Sequence, residues 1–326
     1  MKWDRVVNFK ALISLMFCVF CISNAESKSN SDTPEIIELG KMLYFDPRLS
    51  VNNTVSCQGC HDISAASKRP TGTDNIAVSI GVFGRKGNRN APTVWNSSVR
   101  QSLFWDGRAK SLEEQAFGPI LNHVEMGMAD MKSLEQKLSA IKGYRSAFKK
   151  AWGSEAITGD TIVKSIAAFE RQLLAKNSPF DRYLSGDKDA ISDSAKIGWK
   201  KFNDFSCIAC HGAATFLEQD YFVRFPMHQG SEYESKYDIK SDRGRFNVTK
   251  NYPDINRWRV PSLRNVELTS PYLHNGSVEK LEEVVKVMGR VQLNRALSDE
   301  DIRQISDFLK SLTGDIKPMP SPDLPK

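Results

Sequence analysis

The sequence predicts a mainly α-helical fold in two domains, with long loops between the helices. Three observations carry that expectation. Apolar residues recur at helical spacing in several separate stretches, of which Ile162, Ile166, Phe169 and Leu173 are one. The pentapeptide Cys57-Gln58-Gly59-Cys60-His61 returns 150 residues later as Cys207-Ile208-Ala209-Cys210-His211. Each copy follows a helical pattern that carries a glycine and then an aromatic, as in Gly198 and Phe202, so the chain reads as an internal repeat. Its 326 residues suffice for two ordinary domains.

The pentapeptide is the attachment signature of c-type haem. Two thiols one helical turn apart reach the vinyl groups on one porphyrin edge, and the adjacent His presents its imidazole to the iron. Cys-x-x-Cys pairs also bind zinc, but a His follows directly in both copies. The expectation is therefore two covalently attached haems, on Cys57, Cys60 and His61 and on Cys207, Cys210 and His211. Each sits in its own cytochrome c-like helical domain, residues 26–185 and 186–326.

Residues 1–25 read as a secretory signal. A basic start to Lys10 precedes an apolar run from Ala11 to Ile22 and a small-residue exit ending at Ala25. The run is short for a transmembrane helix; an uncleaved anchor is the alternative. Export suits covalent haem and places the protein in the periplasm. The formal charge is +6, and two of those charges belong to the first ten residues. The remainder is too weak to argue for nucleic acid. Cys18 and Cys21 lie in the leader and the other four cysteines in the two motifs, which leaves no disulfide framework.

In chain order, Pro34 to Tyr44 suits a short helix ended by Asp46-Pro47. Residues 62–110, rich in Gly, Asn and Ser, form a long loop region, and such loops are usually functional. Helices resume at Ser111–Phe117 and at about Met131–Trp152, and another runs from an N-cap at Asp160 to Ala175. Residues 177–194 read as a polar linker, and 212–260 as loops. Ser277 is expected to cap a helix ending at Gly289. Ser298 and Asp301 form a capping box for the last helix, which Gly314 stops. Asp315–Lys326, with four prolines, reads as an extended tail.

Several segments resemble the bacterial di-haem cytochrome c peroxidases, and more broadly the group that includes MauG-type enzymes. They are Glu38 to Ser50, Arg89-Asn90-Ala91-Pro92-Thr93, Phe104-Trp105-Asp106-Gly107-Arg108-Ala109, Val124-Glu125-Met126-Gly127, Val260 to Asn265 and Pro271 to Gly276. The resemblance runs from about residue 35 to 312. It implies a peroxidatic haem on His61 and an electron-transfer haem on His211, with Met288 as the latter's second ligand. It also implies a Ca²⁺ ion between the domains, held by the Asn90 side chain and the carbonyls of Thr269 and Pro271; oxygen ligands suit that ion.

Met288 lies on an apolar helix face, so on the residues alone it is a core methionine or a ligand, with Met227 as competitor. The resemblance favours ligation; a MauG-type enzyme would carry Tyr there. Glu125 reads as a solvated carboxylate until the resemblance puts it over the peroxidatic iron, where it would serve as general acid–base for H₂O₂. Trp105, otherwise a packing residue, would lie between the haems and aid electron transfer. Where many relatives carry a distal His, this chain has Val82 or Phe83, neither able to ligate iron. His123, Met126 and Met128 are substitutes to consider, and His274 is expected to be structural, near a haem propionate.

The expected activity is reduction of H₂O₂ to water with electrons from a small cytochrome c or a cupredoxin. A MauG-like oxidase of a protein or organic substrate is the enzymatic rival, and a plain di-haem electron carrier the non-enzymatic one. The resemblance also admits a homodimer.

Overall fold

The computed structural model describes residues 32–212 and 221–326. The leader, 1–25, lies outside them. Helix α1 (Pro34–Phe45) starts where Thr33 caps it, its side chain accepting from the Ile36 amide with Pro34 in the first turn. Then come the motif turn α2 (Cys57–Cys60), α3 (Leu112–Leu121), α4 (Met131–Ser139), α5 (Lys142–Trp152) and α6 (Gly159–Glu170). The second half contributes α7 (Pro179–Leu184), α8 (Asp193–Asp204), the motif turn α9 (Ile208–His211) and two short helices, α10 (Glu232–Lys236) and α11 (Phe246–Thr249). It closes with α12 (Leu281–Leu293) and α13 (Asp299–Lys310). Strands β1 (Phe222–Arg224) and β2 (Arg257–Arg259) pair antiparallel, Phe222 opposite Arg259.

Two apolar cores form. Leu39, Leu43, Tyr144, Phe148 and Ile166 belong to the first; Phe180, Phe202, Val285 and Phe308 belong to the second. Each is centred on one helix crossing, α1 on α6 and α8 on α13. The crossings are alike in detail. A Cβ on Gly40 would overlap the Ser165 carbonyl, and a Cβ on Gly198 would overlap the Gln304 carbonyl. Only glycine lets the helix before each Cys-x-x-Cys-His turn approach its partner so closely.

The repeat reaches further than the motifs. Asn90-Ala91-Pro92 corresponds to Arg259-Val260-Pro261, and left-handed Asn96 (φ 62°) to left-handed Asn265 (φ 60°). The loop closed by Leu103 and Ala109 corresponds to that closed by Tyr272 and Val278, with Phe104 and Gly107 at φ 65° and 64° and Leu273 and Gly276 at 71° and 63°. Trp105 in the first half and His274 in the second thus hold the same place.

Several expected boundaries shift. The long helix over 131–152 is broken at Ala140–Ile141 into α4 and α5. Thr158, not Asp160, caps α6 through a reciprocal box with Thr161, and the helix stops at Glu170 rather than Ala175. The expected linker 177–194 contains α7, whose Phe180 is fully buried in the second core. Helix α12 is capped at Lys280, not Ser277, and passes through Gly289 to a left-handed Asn294. The capping box of Ser298 and Asp301 is present. Helix α13 ends at Lys310, and Gly314 instead fits against the backbone of Ala175 and Lys176. The Pro-rich tail returns across the first half, where Ile316 and Met319 pack on the first core.

Candidate functional site

Helix α2 sets Cys57 and Cys60 one turn apart, and the His61 amide donates to the Cys57 carbonyl at 2.9 Å. His61 Nδ1 lies 3.2 Å from the Gly72 carbonyl. Gly72 is left-handed (φ 74°), and a Cβ there would meet Thr93 Oγ1 at 2.6 Å, so the position requires glycine. With a carbonyl as partner, Nδ1 carries the proton, which leaves Nε2 free as a metal ligand. Burial pushes this imidazole below its usual pKa, which keeps it neutral.

Glu125 lines the same cavity as Cys60 and His61. Its Oε1 accepts from Asn122 Nδ2 at 2.7 Å. Burial raises its pKa, against the opposing effects of the Asn122 bond and the Arg108 charge. The Val82–Gly84 turn docks on this segment: Val82 N donates to the Glu125 carbonyl at 2.8 Å. Val82 is fully buried, with its Cγ2 beside Gly127, while Phe83 is 65% exposed; neither lines the cavity. His123 is exposed, and Met126 and Met128 are buried in the first core, also away from the cavity. Among the described residues lining it, His61 carries the one imidazole.

The second motif repeats the arrangement. The His211 amide donates to the Cys207 carbonyl at 3.1 Å, and Nδ1 lies 3.2 Å from the Pro261 carbonyl. Burial lowers the pKa of this imidazole to about 4. Cys207, Cys210, His211 and Met288 line one largely apolar cavity, with Val284 and Val285 of α12 beside the thioether. Met227 is half-exposed and lies outside that cavity. Cys207, Cys210 and His211 line the second cavity and Cys60 and His61 the first, with Cys57 one turn from Cys60, so each donor set fits a haem held by two thiols and a neutral imidazole.

The cavities share a wall, to which Asn90, Arg100, Trp105 and Arg259 contribute faces on both sides. Trp105 Nε1 donates to the Asn90 carbonyl at 2.9 Å. The Arg259 amide donates to the Trp105 carbonyl at 2.9 Å, and the Asn90 amide donates to the His274 carbonyl at 2.8 Å. Each half thus grips the other's loop through equivalent atoms. Trp258 stacks on His274 with ring centroids 4.0 Å apart and meets Trp105 edge-on at 6.4 Å. Thr269 and Pro271 line the same cavity as Asn90. Asn90 Nδ2 donates to the Ile76 carbonyl at 3.0 Å, which turns its amide oxygen the other way. This neutral oxygen set fits Ca²⁺ chemically, with water completing the shell.

Sequence reasoning missed Trp258, Arg259 and Glu170. Glu170 lines the His61 cavity, its Oε2 buried without a partner, and burial raises its pKa to about 8. A signal was present: Glu170 falls four residues after Ile166, inside the apolar stripe of α6.

A family model described as di-haem cytochrome c peroxidase matches residues 34–189. The chain is 43% identical to the cytochrome c551 peroxidase of Nitrosomonas europaea over 302 residues, covering 90% of this chain and 85% of that protein. It is 42% identical to the cytochrome c551 peroxidase of Pseudomonas aeruginosa over 279 residues, covering 85% and 78%. Among solved structures, a MauG-like protein associated with microbial copper homeostasis superposes with a TM-score of 0.74 at 29% identity, covering 87% of this chain and 90% of that one. The chain belongs to the di-haem cytochrome c peroxidase family. It is an oxidoreductase of the peroxidase class that carries two haems, which sets aside the plain electron carrier.

Proposed function

We propose that the protein is a periplasmic peroxidase that reduces H₂O₂ to two waters, consuming two electrons and two protons. The observation that carries this is the placement of Glu125 in one cavity with His61 and, among the described residues that line it, with no second imidazole. The four motif cysteines with His61 and His211 would hold the haems, which would supply the redox chemistry that cleaves peroxide. Glu125 takes the proton from the nearer peroxide oxygen and returns it to the farther one, which departs as water. Its burial raises the carboxyl's pKa, which favours the protonated form that the second step needs.

In this reading residues 26–185 hold the peroxidatic haem and 186–326 the electron-transfer haem. Electrons arrive from a small cytochrome c or a cupredoxin at the His211 and Met288 side. A thioether ligand raises a haem potential, which suits an acceptor. Trp105, with a face on each cavity, serves the passage to the His61 side. Ca²⁺ held by Asn90, Thr269 and Pro271 would brace the wall. A MauG-like oxidase is the second reading, favoured by His61 being the one imidazole among the described residues that line its cavity, and disfavoured by Met288.

The test is one equivalent of H₂O₂ added to the fully oxidised protein while the haem spectrum is followed. A rapid change is expected. Reaction only after the second haem is reduced would mean that another residue closes the site. No reaction in either state would overturn the proposal.

A further inference from the structure

The chain beyond α13 runs back over the half that carries His61. The Asp315 amide donates to the Lys176 carbonyl at 2.7 Å. Met319 then bridges the segment just after the first motif: its amide donates to the Ile63 carbonyl at 2.8 Å, and its carbonyl accepts from the Ala65 amide at 2.8 Å. Met319 lies between Pro318 and Pro320, so it supplies the one N–H of that tripeptide, and the flanking prolines hold it extended before it binds.

The segment it grips leads to the imidazole. The Asp62 carbonyl accepts from the Gly72 amide at 2.7 Å, and the Gly72 carbonyl is the partner of His61 Nδ1 at 3.2 Å. Here the internal repeat is broken. Pro261 holds His211 Nδ1, and its counterpart is Pro92. The Pro92 carbonyl does act on His61, but the Gly72 carbonyl, 3.2 Å from Nδ1, is a second partner, where His211 has Pro261 alone; Gly72 is tied through Asp62 to the segment the strap grips.

We infer that residues 315–319 are a positioning strap, through which the half carrying His211 sets the carbonyl partner of His61 and so gives the two haems different ligand fields. The inference rests on His61 being the haem ligand. The partner of a ligating imidazole tunes its basicity and thereby the metal's potential, so unequal partners make unequal haems.

The test uses the haem-loaded full chain. Met319→Pro deletes the donor to Ile63; Met319→Leu keeps it; a chain ending at Gly314 removes the strap. Redox titration with optical and paramagnetic resonance spectra reads each haem separately. The His61 haem should shift in potential and ferric spectrum in Met319→Pro and in the shortened chain, and return to the parent value in Met319→Leu. The His211 haem should stay fixed throughout. An unchanged His61 haem, or equal shifts in both haems, overturns the inference. Should the shortened chain fail to fold, Met319→Pro alone decides. His61→Ala is the separate control: if it leaves the first haem unaltered, the ligand assignment fails, whatever the strap does.

Discussion

The rings of Trp105 and His274 occupy the same place in the two halves of the repeat and meet edge to face, 6.5 Å apart, at the wall between the cavities. The symmetry of the backbone is not kept in the side chains. One half offers an oxidisable indole with faces on both cavities; the other offers a buried imidazole stacked on Trp258.

Trp105→Phe keeps the ring contact but loses the donor to Asn90. Expected outcomes are unchanged haem content, a stability loss of about 1 kcal/mol, and slower passage of electrons between the haems. Rapid-mixing spectroscopy of the half-reduced protein with H₂O₂ measures this. Turnover equal to the parent's would make the indole a wall residue only.

Glu125→Gln retains the shape and loses the base. Peroxidase kcat should fall by about 10²–10⁴-fold. The parent's acid limb should lie above the ordinary carboxylate range, because burial raises the Glu125 pKa and the carboxylate form is the one that takes the proton. Activity therefore declines as pH falls through that raised value, and the limb should vanish in the variant's pH–rate profile.

Glu170 yields a stability prediction with the opposite slope from a salt-bridged carboxylate. Its pKa rises from 4.5 to about 8 on folding. The folded chain keeps the proton that the unfolded chain releases, so the contribution is present below about pH 4.5 and is lost as pH rises through about 8. Melting curves should show Glu170→Gln gaining on the parent between pH 5 and pH 8. Parallel curves would mean the carboxyl finds a counter-charge in the loaded protein.

Gly198→Ala should be severe for its size. The added methyl collides with the Gln304 carbonyl at the α8–α13 crossing, and relief by backbone movement costs roughly 1–3 kcal/mol. Gly40→Ala should do the same at α1–α6. Thermal unfolding, with the haem spectra as reporters, would show whether each change loosens its own half first.

Local signals were read well. The motif turns, the Pro34 start of α1 and the Ser298–Asp301 box each depend on neighbours within a few residues, and the structure has them. What was misplaced depends on distant partners. A glycine at 289 suits a helix end, yet α12 continues past it with Leu297 packed on the glycine. Thr158 outcompetes Asp160 as a cap because Thr161 returns its hydrogen bond. The tail's partners, Ile63 and Ala65, lie some 250 residues upstream, beyond any periodicity argument. At the site, Cys57, Cys60 and His61 were legible from spacing. That Glu125 shares a cavity with Cys60 and His61 rests on resemblance, and Glu170 needed a carboxylate to be noticed on an apolar face.

The shared wall has a consequence for how such a protein changes over time. Asn90, Arg100, Trp105 and Arg259 each present a surface to both cavities, so selection at these positions acts on two sites together. A substitution that improves one compartment is screened by its neighbour, and a variant library that includes them cannot retune one cavity without also perturbing the other. Independent adjustment is left to the outer faces, the turn after α3 that carries Glu125 on one side and α12 with Met288 on the other.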